Sequence, residues 1–573
     1  MKYVRTVLCH FVRTITFVSC LTVVATANAQ PIQQVKHSVT RYSPDTLLVK
    51  FKPGAVAAER GQAHQQARGQ VARELKNLGV SLVKVPRGSV MAAVNIYSKN
   101  PNVDYAEPNY QRLLFRPVTT EGAEPGLGVA NNFNEQWALN NTGQSFGATI
   151  DPIFGTLVYP SFTGITGADI NAPEAWGATN HGSSSVGIAV LDSGVACDHL
   201  DLNGKCIEEL NFVDEHGSTL EDIIQHGTHV AGIAAASTDN SVGIAGVGWD
   251  TSIGALKVCW EDYSLAIFNI IIGQCDDADV ADAIDHAVTS GLYQVINMSL
   301  AGPDMSLTLQ SAVDNAWNEG LVLVAGAGND YTNTTMYPAG YSNVISVGAT
   351  DYHDNLAAFS SFGQWVDVLA PGTHILSTVP GGACGQPAGE PSDCYDAKSG
   401  TSMSTPHVSG LAALLWAHLP SPTNTDIRNI IETTADASGA LQQNLRAWVQ
   451  HGRINMSAAL NAGGAEATTH YVQSIALSTV NVGRGNKQGR AVVAIVDNLG
   501  AAVAGATVDG SFTGSYNQSV SAITDASGIA TLNTTTTAKG GISFTLCVNN
   551  VTDNAAPITS YDPASDAVDC PAL

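Results

Sequence analysis

The 573-residue chain has ten cysteines but no C-x-x-C pair, which removes support for a zinc site built on that spacing. Past the first 29 residues there is no stretch of about 20 uninterrupted apolar residues of the kind a membrane-crossing helix needs. Low-complexity tracts and long internal repeats are also missing, which sets aside solenoids and disordered tails. Cations are scarce over most of the chain. From residue 117 onward there are ten Lys and Arg against forty-five Asp and Glu, a net charge of −35. Nucleic-acid binding requires a cationic surface to neutralise phosphates, so this body is not a nucleic-acid reader.

What is present begins with a leader. Lys2, Arg5 and Arg13 precede the apolar stretch "TITFVSCLTVVAT", and "ANA" follows just before Gln30. A basic start, a short apolar core and a small-residue exit describe a secretory signal cleaved after Ala29, so residues 1–29 are expected to leave and the protein to be extracellular. Residues 30–116 carry a net charge of +8, so a basic segment precedes the acidic body; the whole chain sums to −24. Cys9 and Cys20 leave with the signal, and eight cysteines remain. In an oxidising compartment they are expected to pair, and neighbour pairing disturbs regular elements least: Cys197 with Cys206, Cys259 with Cys275, Cys384 with Cys394, Cys547 with Cys570.

Patterning divides the rest into three. Residues 30–116 contain a small α/β unit: "TLLVKF", "VSLVKVP" and "MAAVNIYS" are strand-like, "AAERGQAHQQARGQVARELKNLG" is helical, and "VDYAEPNY" closes it. The stretch "RPVTTEGAEPGLGVANN" has the composition of an exposed linker. Within 117–464, near-continuous apolar strands such as "VGIAVLDSG", "SIGALKV", "YQVINMSL", "LVLVAGAGN" and "NVISVGAT" alternate with helical segments. That alternation predicts an α/β fold, a doubly wound, mostly parallel sheet covered on both faces, with its site at the carboxyl ends of the strands. From 465 to 573 the composition turns to Gly, Thr, Ala, Val and Asn, with short strand and turn signals that predict an all-β, Ig-like sandwich.

Three segments of the α/β region carry polar groups that packing does not demand. Asp192 ends a strand, His226 opens "HGTHVAGIAAA", and Ser402 lies in "GTSMSTPHVSG" ahead of "LAALLW". Taken alone, the last stretch also reads as an ordinary Ser/Thr-rich helix start. Together the three supply what nucleophilic catalysis requires: a hydroxyl, a base to take its proton, and a carboxylate to hold the base in one tautomer. Asn329, just past the strand in "AGAGN", could donate to a developing oxyanion. His229, Ser404, Thr405 and His407 are nearby decoys, read as structural.

In order and spacing, "VLDSG", "HGTHVAGIAAA", "NMSLAG", "AGAGN" and "GTSMSTPHVSG" resemble the motifs of the subtilisin-like serine peptidases over roughly residues 130–460. The resemblance implies a secreted serine endopeptidase made as a self-processing zymogen. Ser402 would be its nucleophile, His226 its base and acid, Asp192 the orienting carboxylate, and Asn329 with the Ser402 N–H its oxyanion hole. Ser299, Leu300 and Ala301, with Gly326, Ala327 and Gly328, would pair with an extended protein or peptide substrate, and Met336, before a Tyr-Pro pair, would lie at the primary pocket. The implied cofactor is a structural Ca²⁺ at Asp201 and Asn240, with no catalytic metal. Residues 30–116 resemble the propeptide inhibitor of these enzymes, an intramolecular partner matched in charge to the acidic body, and the mature enzyme is expected to be a monomer. A binding protein on a dead peptidase fold would lack one of the three residues. A lipase of the α/β-hydrolase type would need a G-x-S-x-G elbow and the order Ser, Asp, His, whereas Ser402 comes last.

Overall fold

The computed structural model describes residues 41–114, 133–146, 149–150, 157–158, 162–177, 180–213, 216–264, 271–381, 394–463, 469–497, 502–552, 560–563 and 570–573. The leader, the linker stretch and Cys384 lie outside them. At the centre is an eight-stranded parallel sheet. Its strands, in spatial order, are Cys206–Asn211, Ser252–Lys257, Gly187–Asp192, Val295–Met298, Val322–Gly326, Ile345–Thr350, Val368–Pro371 and Gly452–Arg453.

The strand Gly187–Asp192 is buried along its whole length, and its alternate side chains feed two different cores. Ile188 and Val190 join Val230, Ala234, Val408 and Leu411 from the helices Gly227–Ala235 and Thr401–His418. Ala189 and Leu191 join Val280, Ile284, Leu309 and Val313 from the helices Asp277–Ser290 and Leu307–Asn318 on the opposite face. A strand with period-two side chains and helices on both faces must be apolar throughout, as the sequence is here. Each such aliphatic side chain contributes roughly 1.5–3 kcal/mol on burial. The chain leaves this strand for one side of the sheet and later returns to the other, so the strand order reverses beside it. The crevice at the reversal opens next to Asp192.

The N-terminal unit is an antiparallel sheet in the order Val103–Leu114, Tyr42–Phe51, Val80–Lys84, Gln70–Leu75, with the helices Ala57–Ala67 and Val90–Tyr97. Two expectations fail here. The long helix stops at Ala67, because Arg68 turns into the left-handed region at φ 54°, and Gln70–Leu75 becomes a strand by pairing with Val80–Lys84. Tertiary pairing overrides the helix propensity of that segment. "MAAVNIYS" is helical rather than extended, since Val90, Ala93 and Tyr97 fall on one buried face at helical spacing.

This unit docks on the acidic helices of the central domain through polar contacts. Arg73 bonds Asp279 and approaches Asp282 at 3.5 Å, Asn77 donates to Asp285 at 2.7 Å, and Asn109 accepts the N–H of Ala278 at 3.0 Å. The Glu107 carboxylate accepts from Ser306 Oγ and from the N–H groups of Leu307 and Thr308, all at 2.9 Å. Those N–H groups are free donors of a helix start, where negative charge is favoured.

The C-terminal strands form two sheets. One joins Thr469–Gly483, Asn486–Asp497, Ile529–Asn533, Ala538–Lys539 and Ser560–Tyr561; the other joins Gln518–Ile523, Thr507–Gly514 and Phe544–Thr552. Pairing is antiparallel except between Thr469–Gly483 and Ser560–Tyr561. Val472, Val493, Phe512, Leu532 and Leu546 share one core between them. Three of the expected disulfides are present, Cys197–Cys206, Cys259–Cys275 and Cys547–Cys570, and Cys394 is disulfide-bonded.

Replacing Glu107 removes the acceptor for three donors at once. In full-length protein carrying Ser402→Ala, which removes the expected nucleophile, Glu107→Ala should destabilise the docked state by about 1–3 kcal/mol. Urea unfolding of the pair of proteins measures this. Coincident curves would mean that the cap contributes nothing.

Candidate active site

Asp192 is the last residue of the buried strand Gly187–Asp192, and His226 immediately precedes the helix Gly227–Ala235. The two side chains meet, with His226 Nδ1 2.7 Å from Asp192 Oδ1, and neither is exposed beyond 1%. The same carboxylate oxygen accepts the N–H of Ser193 at 2.7 Å. With Asp192 as acceptor, Nδ1 carries the proton and Nε2 is the free base nitrogen. Nε2 is buried and has no hydrogen-bond partner among the described residues.

Asp222, which the sequence reading passed over, holds the start of the histidine helix. Its Oδ2 accepts the N–H of Thr228 at 2.8 Å, and its Oδ1 accepts Ser193 Oγ at 2.7 Å. Ser193 Oγ in turn accepts the N–H of Gly227 at 3.0 Å. Burial pushes the Asp222 carboxyl above its usual range, and these donors oppose the shift. A carboxylate five residues before a glycine-rich helix start was the signal in the sequence. Lys257 is buried beneath this loop, donating to the carbonyls of Ser193 and Glu221 at 2.8 Å and to Glu261 at 2.6 Å.

Ser402 is the second residue of the helix Thr401–His418, which is buried from Thr401 through Leu415. Its Oγ donates to the carbonyl of Ser299 at 3.3 Å, and Ser299 Oγ donates to the Ser402 carbonyl at 3.1 Å. Asn329 is fixed by Thr401: its Oδ1 accepts the Thr401 N–H at 2.9 Å and Thr401 Oγ1 at 3.0 Å. Because the oxygen is committed, Nδ2 must face away from Thr401, and it is buried with no acceptor. Thr401 Oγ1 also takes the N–H of Gly328 at 3.2 Å, so one hydroxyl ties the asparagine loop to the serine helix.

The decoy residues are structural. Ser404 donates to the carbonyls of Ala370 and Pro371, and Thr405 to that of Thr401. His229 lies against the carbonyl of Asp396 and His407 against that of Met403. Burial holds His229 well below its ordinary pKa and lowers His407 to about 4.

Leu300–Ala301 is a short buried strand, and Leu113 and Leu114 of the N-terminal unit pair with it in antiparallel register. Gly326 ends its strand, the N–H of Ala327 is used by the carbonyl of Val347, and Met336 is fully buried against Ala301 and Trp365. Among the described residues, the strand Val103–Leu114 has no pairing with Gly326–Gly328. Its second partner is Ile272–Asp276, a segment the sequence reading did not single out, tied by Cys259–Cys275 to the strand Cys259–Asp262.

The two residues of the expected Ca²⁺ site, Asp201 and Asn240, are brought together in one turn. Asp201 Oδ1 accepts Asn240 Nδ2 at 2.9 Å, and Oδ2 accepts the Ile244 N–H at 2.8 Å and the Tyr395 hydroxyl at 3.0 Å. Asn240 Oδ1 accepts the Val242 N–H at 3.0 Å. Ca²⁺ takes six to eight oxygen ligands, and Asp201 Oδ1 and Asn240 Oδ1 each accept one hydrogen bond while keeping a further lone pair.

Comparison with known proteins places the chain in a family. Residues 183–450 match the Subtilase family, and residues 28–109 match the fervidolysin N-terminal prodomain. The chain is 37% identical over 424 residues to a thermophilic serine proteinase of Bacillus sp. (strain AK1), covering 74% of this chain and 88% of that one. It is 44% identical over 288 residues to thermitase of Thermoactinomyces vulgaris, covering 50% of this chain and 91% of that one. The crystal structure of fervidolysin from Fervidobacterium pennivorans shares the fold, with a TM-score of 0.53 at 24% identity over 92% of this chain and 76% of that one.

The chain belongs to the subtilase family. It is a subtilisin-like serine endopeptidase preceded by a prodomain.

The lowered pKa of His407 has a consequence for stability. A buried histidine that stays neutral when folded but charges when unfolded contributes stability that is fully present above about 6.5 and is lost as pH falls towards about 4. The shift corresponds to about 3 kcal/mol. In a Ser402→Ala background, His407→Asn should lower the melting temperature at pH 7 but flatten its decline between pH 6.5 and 4.5. Parallel declines for variant and parent would contradict this.

Proposed function

We propose that this protein is a secreted precursor that cuts itself free of its prodomain and then hydrolyses proteins through Asp192, His226 and Ser402. The observation that carries the reading is the pairing of Asp192 with His226 at 2.7 Å together with two buried, partnerless groups, His226 Nε2 and Asn329 Nδ2. Burying an unmatched polar group costs about 1–3 kcal/mol, so two of them at one crevice mark a site kept ready for a substrate.

In the proposed reaction, Ser402 Oγ leaves the Ser299 carbonyl and attacks the scissile carbonyl carbon while its proton passes to His226 Nε2. Asp192 keeps the Nδ1 proton in place and stabilises the imidazolium. Asn329 Nδ2 and the Ser402 N–H receive the oxyanion, assisted by the positive end of the helix Thr401–His418. His226 then returns the proton to the departing amine, and water releases the acyl group by the same steps.

Ser299, Leu300, Ala301, Gly326, Ala327 and Gly328 are assigned to the substrate cleft, with Met336 backing the primary pocket through Ala301. The proposed organisation is a signal at 1–29, the prodomain at 30–116, the peptidase at 117–464 and an Ig-like sandwich at 465–573, acting as a monomer outside the cell.

A serine-directed fluorophosphonate should label the mature protein on Ser402. The Ser402→Ala precursor should keep its prodomain and hydrolyse no casein. Normal maturation of that variant in a protease-free system would rule out self-processing.

A further inference from the structure

The end of the prodomain lies in the cleft as a substrate strand would. Leu113 is opposite Gln274 on one side and Ala301 on the other, and Leu114 is opposite Leu300. Such strand addition leaves alternate side chains to be read by pockets. The next enzyme residue along this register is Ser299, whose carbonyl holds Ser402 Oγ. A substrate residue following the Leu114 position therefore presents its carbonyl to the nucleophile. Counting back, the position of Arg112 is the fourth residue before the scissile bond.

Arg112 is fully buried, which is rare for a guanidinium without a dedicated partner. Its Nε and Nη2 donate to the two carboxylate oxygens of Asp277, each at 2.6 Å, and Nη1 donates to the carbonyl of Asp304 at 2.6 Å. Asp277 is itself fully buried and is the first residue of the helix Asp277–Ser290, whose N-terminal dipole favours a carboxylate there. The pocket has room because residue 302 is glycine: a Cβ at Gly302 would stand 3.1 Å from Arg112 Nη1 and 3.2 Å from Cδ. Leu114, on the same side of the strand, meets Gly273, where a Cβ would be 2.4 Å from its Cδ1.

We propose that Asp277 is a specificity-determining residue of the enzyme, which selects protein substrates carrying arginine at the fourth position before the cleaved bond. The proposal rests on the peptidase reading above and names its substrate class. The carboxylate lies on the peptidase side of the contact and remains in the cleft once the prodomain leaves. A planar guanidinium satisfies both of its oxygens, which an ammonium cannot match geometrically and a neutral side chain cannot match in charge.

The test uses mature enzyme and four peptides, X-Leu-Leu-Phe-p-nitroanilide, with X being Arg, Lys, citrulline or Leu; Phe follows Leu114 in the chain. Citrulline keeps the shape of arginine without its charge. The kcat/KM for Arg should exceed that for citrulline and for Leu by at least about tenfold, the lower range for an unmatched buried charge. In Asp277→Asn the Arg-to-citrulline ratio should fall to near one. Equal values for Arg and citrulline in the parent enzyme would overturn the assignment. Casein digestion run in parallel separates the two claims: casein cleaved without Arg preference defeats this inference alone, while no cleavage of casein or of any peptide defeats the peptidase reading on which it rests.

Discussion

The geometry of the site depends on one constraint: an ionisable carboxylate placed at the end of a strand that is apolar on both faces. Asp192 cannot reach bulk water, and its Oδ1 is served by His226 Nδ1 and by the N–H of Ser193. That pairing orients the imidazole and leaves Nε2 as the free nitrogen. Asp222, Ser193 and Lys257 are arranged around the same strand end and hold the loop from which the histidine helix departs. The parallel sheet supplies the rest by placing Asn329, Ser299 and Ser402 near the same crevice through Thr401 and the paired Ser299 and Ser402 contacts.

The prodomain makes use of surfaces the peptidase presents anyway. Two helices, Asp277–Ser290 and Leu307–Asn318, point their N-termini at it, and the prodomain answers with Asn109 and Glu107. Arg73 addresses the acidic flank of the first helix, consistent with the opposite net charges of the two segments. Charge of this kind steers docking and register more than it adds raw affinity. The strand Val103–Leu114 then runs from the prodomain's own sheet to Ile272–Asp276 and Leu300–Ala301, so that a single element pairs on both sides of the contact.

The alternation of buried strands and helices made the central sheet legible, because a strand covered on both faces has no polar positions to spare. Polar residues at strand ends and helix starts therefore stood out, and Asp192, His226, Asn329 and Ser402 were singled out on that ground. Reasoning failed where local propensity and tertiary pairing disagree. The segment after Ala67 is made of good helix formers yet pairs as a strand, and Val90–Tyr97 is rich in strand formers yet coils so as to bury one face. Asp222 and Thr401 escaped notice because an isolated Asp or Thr near a helix start is common. The strand Ile272–Asp276 escaped because its role is set by what pairs with it.

The central claim is that the crevice holds donors in place before any charge develops. Asn329 tests it most directly, because Thr401 holds its Oδ1 while Nδ2 has no acceptor among the described residues. Steady-state kinetics of Asn329→Ala should show kcat reduced about 10²–10³-fold, the range seen for loss of one such donor in subtilisin, with KM nearly unchanged. A kcat within threefold of the parent, or a loss expressed wholly in KM, would contradict the account.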